Sequence, residues 1–213
     1  MIKYEIFKLF EEYGTNTYIV WDSLSKETII FDPASPSNDV CNFIEKNKLN
    51  PKYIINTHGH LDHIGGNDFF RNKYKIPVLI HSKDAEMLTN PKLNLSSYSE
   101  NQIIQKPADF LLDKLNFSVS IGNYDVVIIH TPGHTKGSVS ILIDKFLISG
   151  DTLFYESIGR TDLPGGDYNE IVFSIKEKLF KLPEETIVLP GHGPSTTIAD
   201  EIVANPFVGY LSD

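Results

Sequence analysis

Apolar and β-branched residues recur along this chain in runs of strand length: KYEIFKLF, NTYIVW, ETIIFD, KYIIN, IPVLI, YDVVIIH, SVSILI, KFLIS and TIVLP. Between some of them the apolar period lengthens to that of a helix. In PSNDVCNFIEKN, after Ser35, Val40, Phe43 and Ile44 fall at helical spacing. In DYNEIVFSIKEKLF the stripe is Ile171, Ile175 and Leu179. Asp167 is placed to cap that helix with Glu170 three residues on, and Pro183 stops it. Thr196 or Thr197 is placed to cap a terminal helix. Strands in close succession, followed by helices that alternate with strands, predict two sheets covered by helices. One internal echo points the same way: ETIIFD and KFLISGD each end a strand on an aspartate, and YIINTHGH and VVIIHTPGH each end one on a histidine loop. The echo implies two similar halves; chance is the alternative.

Composition narrows the class. A chain of 213 residues with 41% hydrophobic and 22% charged residues suits one soluble globular domain spanning 1–213. No stretch approaches the roughly 18 apolar residues of a membrane helix. The start, MIKYEIFKLFEEYG, lacks the basic, apolar and small-residue regions of a secretion signal. Cys41 is the only cysteine, so no internal disulfide forms, and a reducing cytoplasm is the expected location. The net charge of −9 is spread along the chain, which argues against nucleic acid as a partner.

The densest candidate chemistry is THGHLDH, residues 57–63, which holds three of the seven histidines. It follows KYIIN and precedes a further helix. Residues two apart on an extended segment point the same way, so His58 and His60 can share one ion across Gly59. Gly65 and Gly66 permit the turn that carries Asp62 and His63 to a neighbouring position. Clustered His and Asp are common ligands of divalent metals, and a polar loop with incidental histidines is the alternative. The i, i+2 spacing excludes a helical H-E-x-x-H site.

Further ligands belong at other strand ends. His134 follows VVIIH, Asp151 follows KFLI and His192 follows TIVL, each beside glycine in a loop. His130 and His81 end strand patterns themselves, and a structural, partly buried role suits both.

H-x-H-x-D-H followed by a distant His, Asp and His resembles the metallo-β-lactamase fold superfamily. FDPA from Phe31, TPGHTKGS, GDTLF, GRTDLPGG and PGHGPSTTIADEIVANPF extend the likeness over nearly the whole chain. These segments are similar to the short bacterial glyoxalase II-like (hydroxyacylglutathione hydrolase-like) branch, which hydrolyses thioesters such as S-lactoylglutathione. The resemblance implies a four-layer αββα sandwich, two mixed sheets face to face with helices on both outer faces. It implies a first metal site of His58, His60 and His134, and a second of Asp62, His63 and His192. Asp151 would bridge the two, and Asp62 and Asp151 would be the catalytic carboxylates. The implied cofactors are two divalent ions, zinc first, with iron or manganese as alternatives.

Two such ions about 3.5–4 Å apart lower the pKa of a shared water and polarise a carbonyl. Ser195 is then not needed as a nucleophile. A thiolate leaving group, with a free-thiol pKa near about 8.5, departs with little help from an acid. The expected partner is a small-molecule thioester, with neither nucleic acid nor membrane. Asp32 resembles a family motif and is placed to hold a ligand imidazole, or simply to start an Asp-Pro turn. Arg160 is placed to meet substrate or to tie down its own loop. Residues 89–106 are long enough for a flap beside the site, in which Tyr98 would touch substrate. The chain ends soon after NPF, without the C-terminal helices that bind glutathione in the best-known members. A mononuclear-iron persulfide dioxygenase, using His58, His134 and Asp151, is the alternative class. Lactonase, β-lactamase and nuclease activities are weaker ones.

Overall fold

The computed structural model describes residues 1–10 and 12–210, and its main strands fall on the apolar runs. β1 (Ile2–Leu9), β2 (Thr15–Asp22) and β3 (Glu27–Phe31) form an antiparallel meander. β4 (Asn50–Ile55), β5 (Val78–Ile80) and β6 (Phe110–Leu111) add to it in parallel, completing a six-stranded mixed sheet. A ribbon of β7 (Ser120–Ile121) and β8 (Tyr124–Asp125) leads to the second sheet. There β9 (Val127–His130), β10 (Val139–Ile143) and β11 (Phe146–Gly150) form another antiparallel meander. After the ribbon β12 (Leu153–Phe154) and β13 (Ser157–Ile158), β14 (Ile187–Pro190) joins β11 in parallel and β15 (Thr196–Thr197) closes the edge. YDVVIIH, which reads as one strand, is divided at Val126, because β8 pairs back on β7 while β9 pairs with β10.

The helices begin where their caps predict. Ser37 accepts from the Val40 amide at the start of α1 (Asn38–Lys46), and Asp167 accepts from the Glu170 amide at the start of α4 (Tyr168–Glu177). Thr197 rather than Thr196 caps α5 (Ile198–Ala204), accepting from the Asp200 amide. α1 buries Cys41 along with Val40 and Ile44, leaving Phe43 half-buried. Leu179 lies just past α4 in a short 3-10 turn, still buried. Of two further helices, α2 (Leu61–Ile64) starts inside THGHLDH, earlier than the helix expected after it, and α3 (Asn67–Tyr74) follows the motif.

Alternation along the strands sorts the side chains into layers. Tyr18, Val20, Ile29, Phe31 and Ile55 of the first sheet pack with Val139, Ile141, Ile148 and Leu189 of the second. Ile19, Ile30 and Ile54 turn to the other face and meet Val40, Ile44 and Phe70 of α1 and α3. Leu147 and Val188 likewise turn outward onto Ile171, Ile175 and Ile198. The result is the four-layer αββα sandwich. Burial stabilises each of these aliphatic side chains by roughly 1.5–3 kcal/mol and holds the two sheets in fixed registry.

The two sheets repeat one plan, a meander followed by a parallel strand, so β3 matches β11 and Asp32 matches Asp151. The second half of the echo is different. β4, which leads into THGHLDH, corresponds to β14 and its His192 loop; β9, which leads to His134, lies two strands away from β11. β9, β11 and β14 run in one direction, as do β3 and β4, so the C-terminal ends of each set share an edge. Among the described residues, no helix is long and apolar enough to cross a membrane.

Candidate metal centre

β4 delivers the chain to Asn56, Thr57 and His58 at the sheet edge. His60 occupies the N-cap position of α2, a single helical turn that carries Asp62 and His63. The Leu61 amide donates to the Asn94 carbonyl, and the Asn56 side-chain amide donates to the His63 carbonyl, pinning the turn at both ends. Gly65 and Gly66 permit the turn, but through close packing and not through unusual dihedrals. Gly65 has ordinary right-handed dihedrals, φ −57° and ψ −25°, as does Gly66 with φ −95°. What requires glycine is the approach of backbone, since a Cβ would strike the Ala34 carbonyl oxygen at Gly65 and, at 2.7 Å, that of Ser35 at Gly66.

The distant residues arrive from the second sheet. His134 lies in the loop after β9, Asp151 follows β11 and His192 follows β14. Gly150 turns the chain with φ +52°, and a side chain there would collide with Thr57. Gly191 is constrained by the cluster itself, because a Cβ would meet Asp151 Oδ1 and His63 Cε1.

Hydrogen bonds fix which nitrogen most rings present to the cluster. His63 Nδ1 lies 3.0 Å from Asp32 Oδ2, His134 Nδ1 lies 2.7 Å from the Arg160 carbonyl, and His192 Nδ1 lies 3.0 Å from the Tyr13 carbonyl. Each Nδ1 therefore donates, and Nε2 is the nitrogen that faces inward, a lone pair once the ring is neutral. Thr57 donates to Asp32 Oδ2 at 2.6 Å, so its oxygen can accept from His58 Nδ1 at 3.1 Å, turning His58 Nε2 inward too. His60 is the exception: its Nδ1 faces His134 Nε2 at 2.9 Å.

The inward atoms form three overlapping groups, each with its members within 4.8 Å of one another. His58, His60 and His134 make one, Asp62, His63 and His192 another, and His58, His63 and Asp151 span the two. Asp151 Oδ2 lies 3.6 Å from His134 Nε2 and 3.4 Å from His192 Nε2, while Oδ1 lies 3.5 Å from His63 Nε2. Asp62 Oδ2 is 3.3 Å from His192 Nε2 and is held by the Thr15 hydroxyl at 2.8 Å. Ligands on metal bonds of about 2.0–2.2 Å in tetrahedral array lie roughly 3.4 Å apart, so these spacings fit metal coordination. Buried His58 Nε2 and Asp151 Oδ1 have no hydrogen-bonding partner among the described residues. Polar atoms left so in an apolar surround are costly, and an ion is the kind of partner that removes the cost.

Charge follows the same geometry. Burial pushes the pKa of His58 well below its usual value and that of His60 down to about 3, assisted by neighbouring imidazoles. Burial works against protonation of His63 too, but Asp62, Asp151 and Asp32 outweigh it and raise the ring to about 9. Burial is likewise overcome at His192, where hydrogen bonds to Asp151 and Asp62 raise it to about 11. Asp62 and Asp151 are lowered despite burial, chiefly by His63. Without an ion, the cluster thus holds protons where positive charge is wanted.

Asp32 makes the contact its motif suggests. It accepts from the Thr57 amide at 2.7 Å, the Thr57 hydroxyl and His63, and it sits at φ +46° to do so. Arg160 ties its loop down: Nε and Nη2 grip Asp162 at 2.9 and 2.8 Å while its side chain borders the cavity. Tyr98 stands exposed at the cavity rim, where the 89–106 segment flanks the site. His81 and His130 stay out of the cluster, stacked on each other with centroids 4.3 Å apart. The residue that sequence reasoning misses is Asp84. This buried carboxylate accepts from Gly59 N at 3.2 Å, Thr135 Oγ1 at 2.6 Å and Gly137 N at 2.7 Å, joining the His58–His60 loop to the His134 loop. HSKDAEM carries no spacing signal that singles it out.

Comparison with known proteins agrees with this geometry. The family model described as Metallo-beta-lactamase superfamily matches residues 11–192. The probable metallo-hydrolase YqgX of Bacillus subtilis (strain 168) is 40% identical over 189 residues, 87% of this chain and 89% of that protein. The hydroxyacylglutathione hydrolase GloC of Haemophilus influenzae is 33% identical over 212 residues, covering 94% and 95%. Among solved structures, the BLEG-1 B3 metallo-beta-lactamase matches with a TM-score of 0.90 at 43% identity, covering 97% of this chain and 99% of that one. TTHA1623, solved in a di-iron-bound form, matches at 0.79 and 31%, covering 95% and 99%.

Proposed function

From the metallo-beta-lactamase superfamily, to which this chain belongs as a metal-dependent hydrolase, we propose that it is a binuclear, glyoxalase II-like thioesterase acting on small acyl thioesters in the cytoplasm. The observation that carries this reading is the pairing of two complete ligand sets around one carboxylate, Asp151. His58, His60 and His134 would hold one divalent ion, and Asp62, His63 and His192 the other, with zinc first and iron or manganese as alternatives. When bound, two such ions supply a water of lowered pKa and an electrophile for the substrate carbonyl.

The chain's own residues do the rest. Asp62 and Asp151 would offset part of the positive charge of such a pair and leave the site net positive, which favours an oxyanion. Asp32 and the Arg160 and Tyr13 carbonyls orient the rings by holding their outward nitrogens. Ser195 is exposed in the loop before β15, and the mechanism gives it no nucleophilic part. A thiolate leaves without a strong acid, which suits a site whose titratable groups are committed to ligation. GloC's name supports the thioester class; BLEG-1's supports β-lactam hydrolysis as a second reading.

The test measures metal content and activity on one sample. Close to two equivalents of Zn, Fe or Mn, with hydrolysis of acyl thioesters exceeding that of lactones and nitrocefin, is the expected result. A single tightly bound iron with oxygen consumption on a persulfide would overturn the reading, and so would β-lactam turnover as the dominant activity.

A further inference from the structure

The wall of the catalytic cavity carries information that the ligand set does not. The cavity, about 550 Å³, opens directly over His60, Asp62, His134, Asp151 and His192. Apart from these cluster residues, its lining is mainly apolar or aromatic: Leu61, Leu95, Tyr98, Phe154, Leu163 and Pro164. Of the polar groups that remain, the exposed Arg160 guanidinium gives two of its five N–H donors to Asp162, and Tyr13, Tyr98 and Ser99 carry hydroxyls. A second groove shares Tyr13, Tyr98 and Ser99 with this cavity and continues it past Glu12, Glu100 and Asn101, with Phe10 and Ile103 beside them.

A thioester has two arms on either side of its carbonyl. Water-soluble thiol carriers are built of amides and charged groups, whose burial against apolar walls without partners is costly. The acyl arm has no such restriction. Resting on the thioesterase reading above, we propose that the apolar cavity is an acyl pocket. It selects thioesters with unsubstituted acyl chains of several carbons over short or hydroxylated ones, and the adjoining groove, where Glu12, Ser99, Glu100 and Asn101 offer polar partners, takes the carrier. A lactoyl group gains little here, because the donors that border the cavity, on Arg160, Tyr13 and Tyr98, are exposed and already hydrogen-bonded to water, so its hydroxyl only exchanges one partner for another.

The experiment uses one neutral carrier, N-acetylcysteamine, bearing acetyl, propionyl, butanoyl, hexanoyl or lactoyl groups, with the metal-loaded protein. Each buried methylene is expected to raise kcat/KM up to about fourfold, so hexanoyl should exceed acetyl by at least roughly thirtyfold, even with incomplete burial. Lactoyl should do no better than propionyl. Leu163→Asn should lower the hexanoyl-to-acetyl ratio. A flat or falling dependence on chain length, or a lactoyl substrate preferred over propionyl, would overturn the acyl pocket while leaving the thioesterase reading intact. If no thioester is hydrolysed, the thioesterase reading fails, and binding then tests the pocket by itself. In calorimetric titration, S-hexyl-N-acetylcysteamine should bind at least roughly tenfold tighter than the S-methyl thioether. Equal affinity, or no binding of either, would overturn the pocket.

Discussion

Removing the Asp32 carboxylate separates its two duties, holding the fold's edge and orienting the ligand rings. It is 1% exposed and accepts three hydrogen bonds, from the Thr57 amide, the Thr57 hydroxyl and His63 Nδ1, at 2.7, 2.6 and 3.0 Å. Asp32→Ala strands the Thr57 amide and His63 at roughly 1–3 kcal/mol each, for a total of about 2–6 kcal/mol, once the freed Thr57 hydroxyl rotates to another partner. For a chain of this size, each kcal/mol lowers Tm by about 2–4 °C, so calorimetry of the metal-free protein should find a drop of at least about 4 °C. Asp32→Asn keeps the volume and one acceptor oxygen but turns an NH2 group toward either Thr57 or His63. The fold should survive, while His63 loses the acceptor that fixes its inward Nε2. Loss of an outer partner of this kind costs about 10–100-fold in metal affinity, or roughly 1.4–2.7 kcal/mol. Competition against a chromophoric chelator should show that loss in the more weakly held equivalent. Two equivalents bound at unchanged affinity in Asp32→Asn would refute the argument that this carboxylate orients the ring.

Three further outcomes follow from the same geometry. Asp151→Asn should lose nearly all hydrolysis with an unchanged circular dichroism spectrum; retained activity would remove Asp151 from its place between the ligand sets. Asp84→Ala leaves Gly59, Thr135 and Gly137 without their shared acceptor, and should lower thermal stability by about 3–5 kcal/mol, as read from chemical unfolding. A loss below about 1 kcal/mol would show that those loops hold without it. Metal uptake should release protons, because His63, raised to about 9, and His192, raised to about 11, are protonated at pH 7.5 and must be neutral to ligate. His58 and His60, lowered by burial, are neutral already and release none. Apparent metal affinity should therefore climb from pH 6 to pH 9, and uptake in weak buffer at pH 7.5 without acidification would contradict these protonation states.

Much of this molecule is local and therefore legible in the chain. Period-two runs mark strands, Ser37, Asp167 and Thr197 mark helix starts, and the spacing of His58, His60, Asp62 and His63 marks the densest part of the site. These features depend on neighbours within a few residues, where backbone geometry fixes direction. Strand-end loops bordered by glycine add His134, Asp151 and His192 as candidates, and the family resemblance carried by longer motifs sorts them into two sites. Their meeting is a matter of sheet packing. His60 and His134 are 74 residues apart and come within 2.9 Å; His192 finds the Tyr13 carbonyl across 179 residues. Which nitrogen each ring presents, and Asp84's part in joining two histidine loops, rest on such contacts. Nothing in the residues beside them encodes the partner, because two sheets packed face to face decide what lies opposite. YDVVIIH reads as one strand because its apolar pattern is continuous, and only its pairing with two different neighbours divides it. The chain thus fixes the donors and the elements that carry them, whereas the packed sandwich decides their orientation and the shape of the cavity above them.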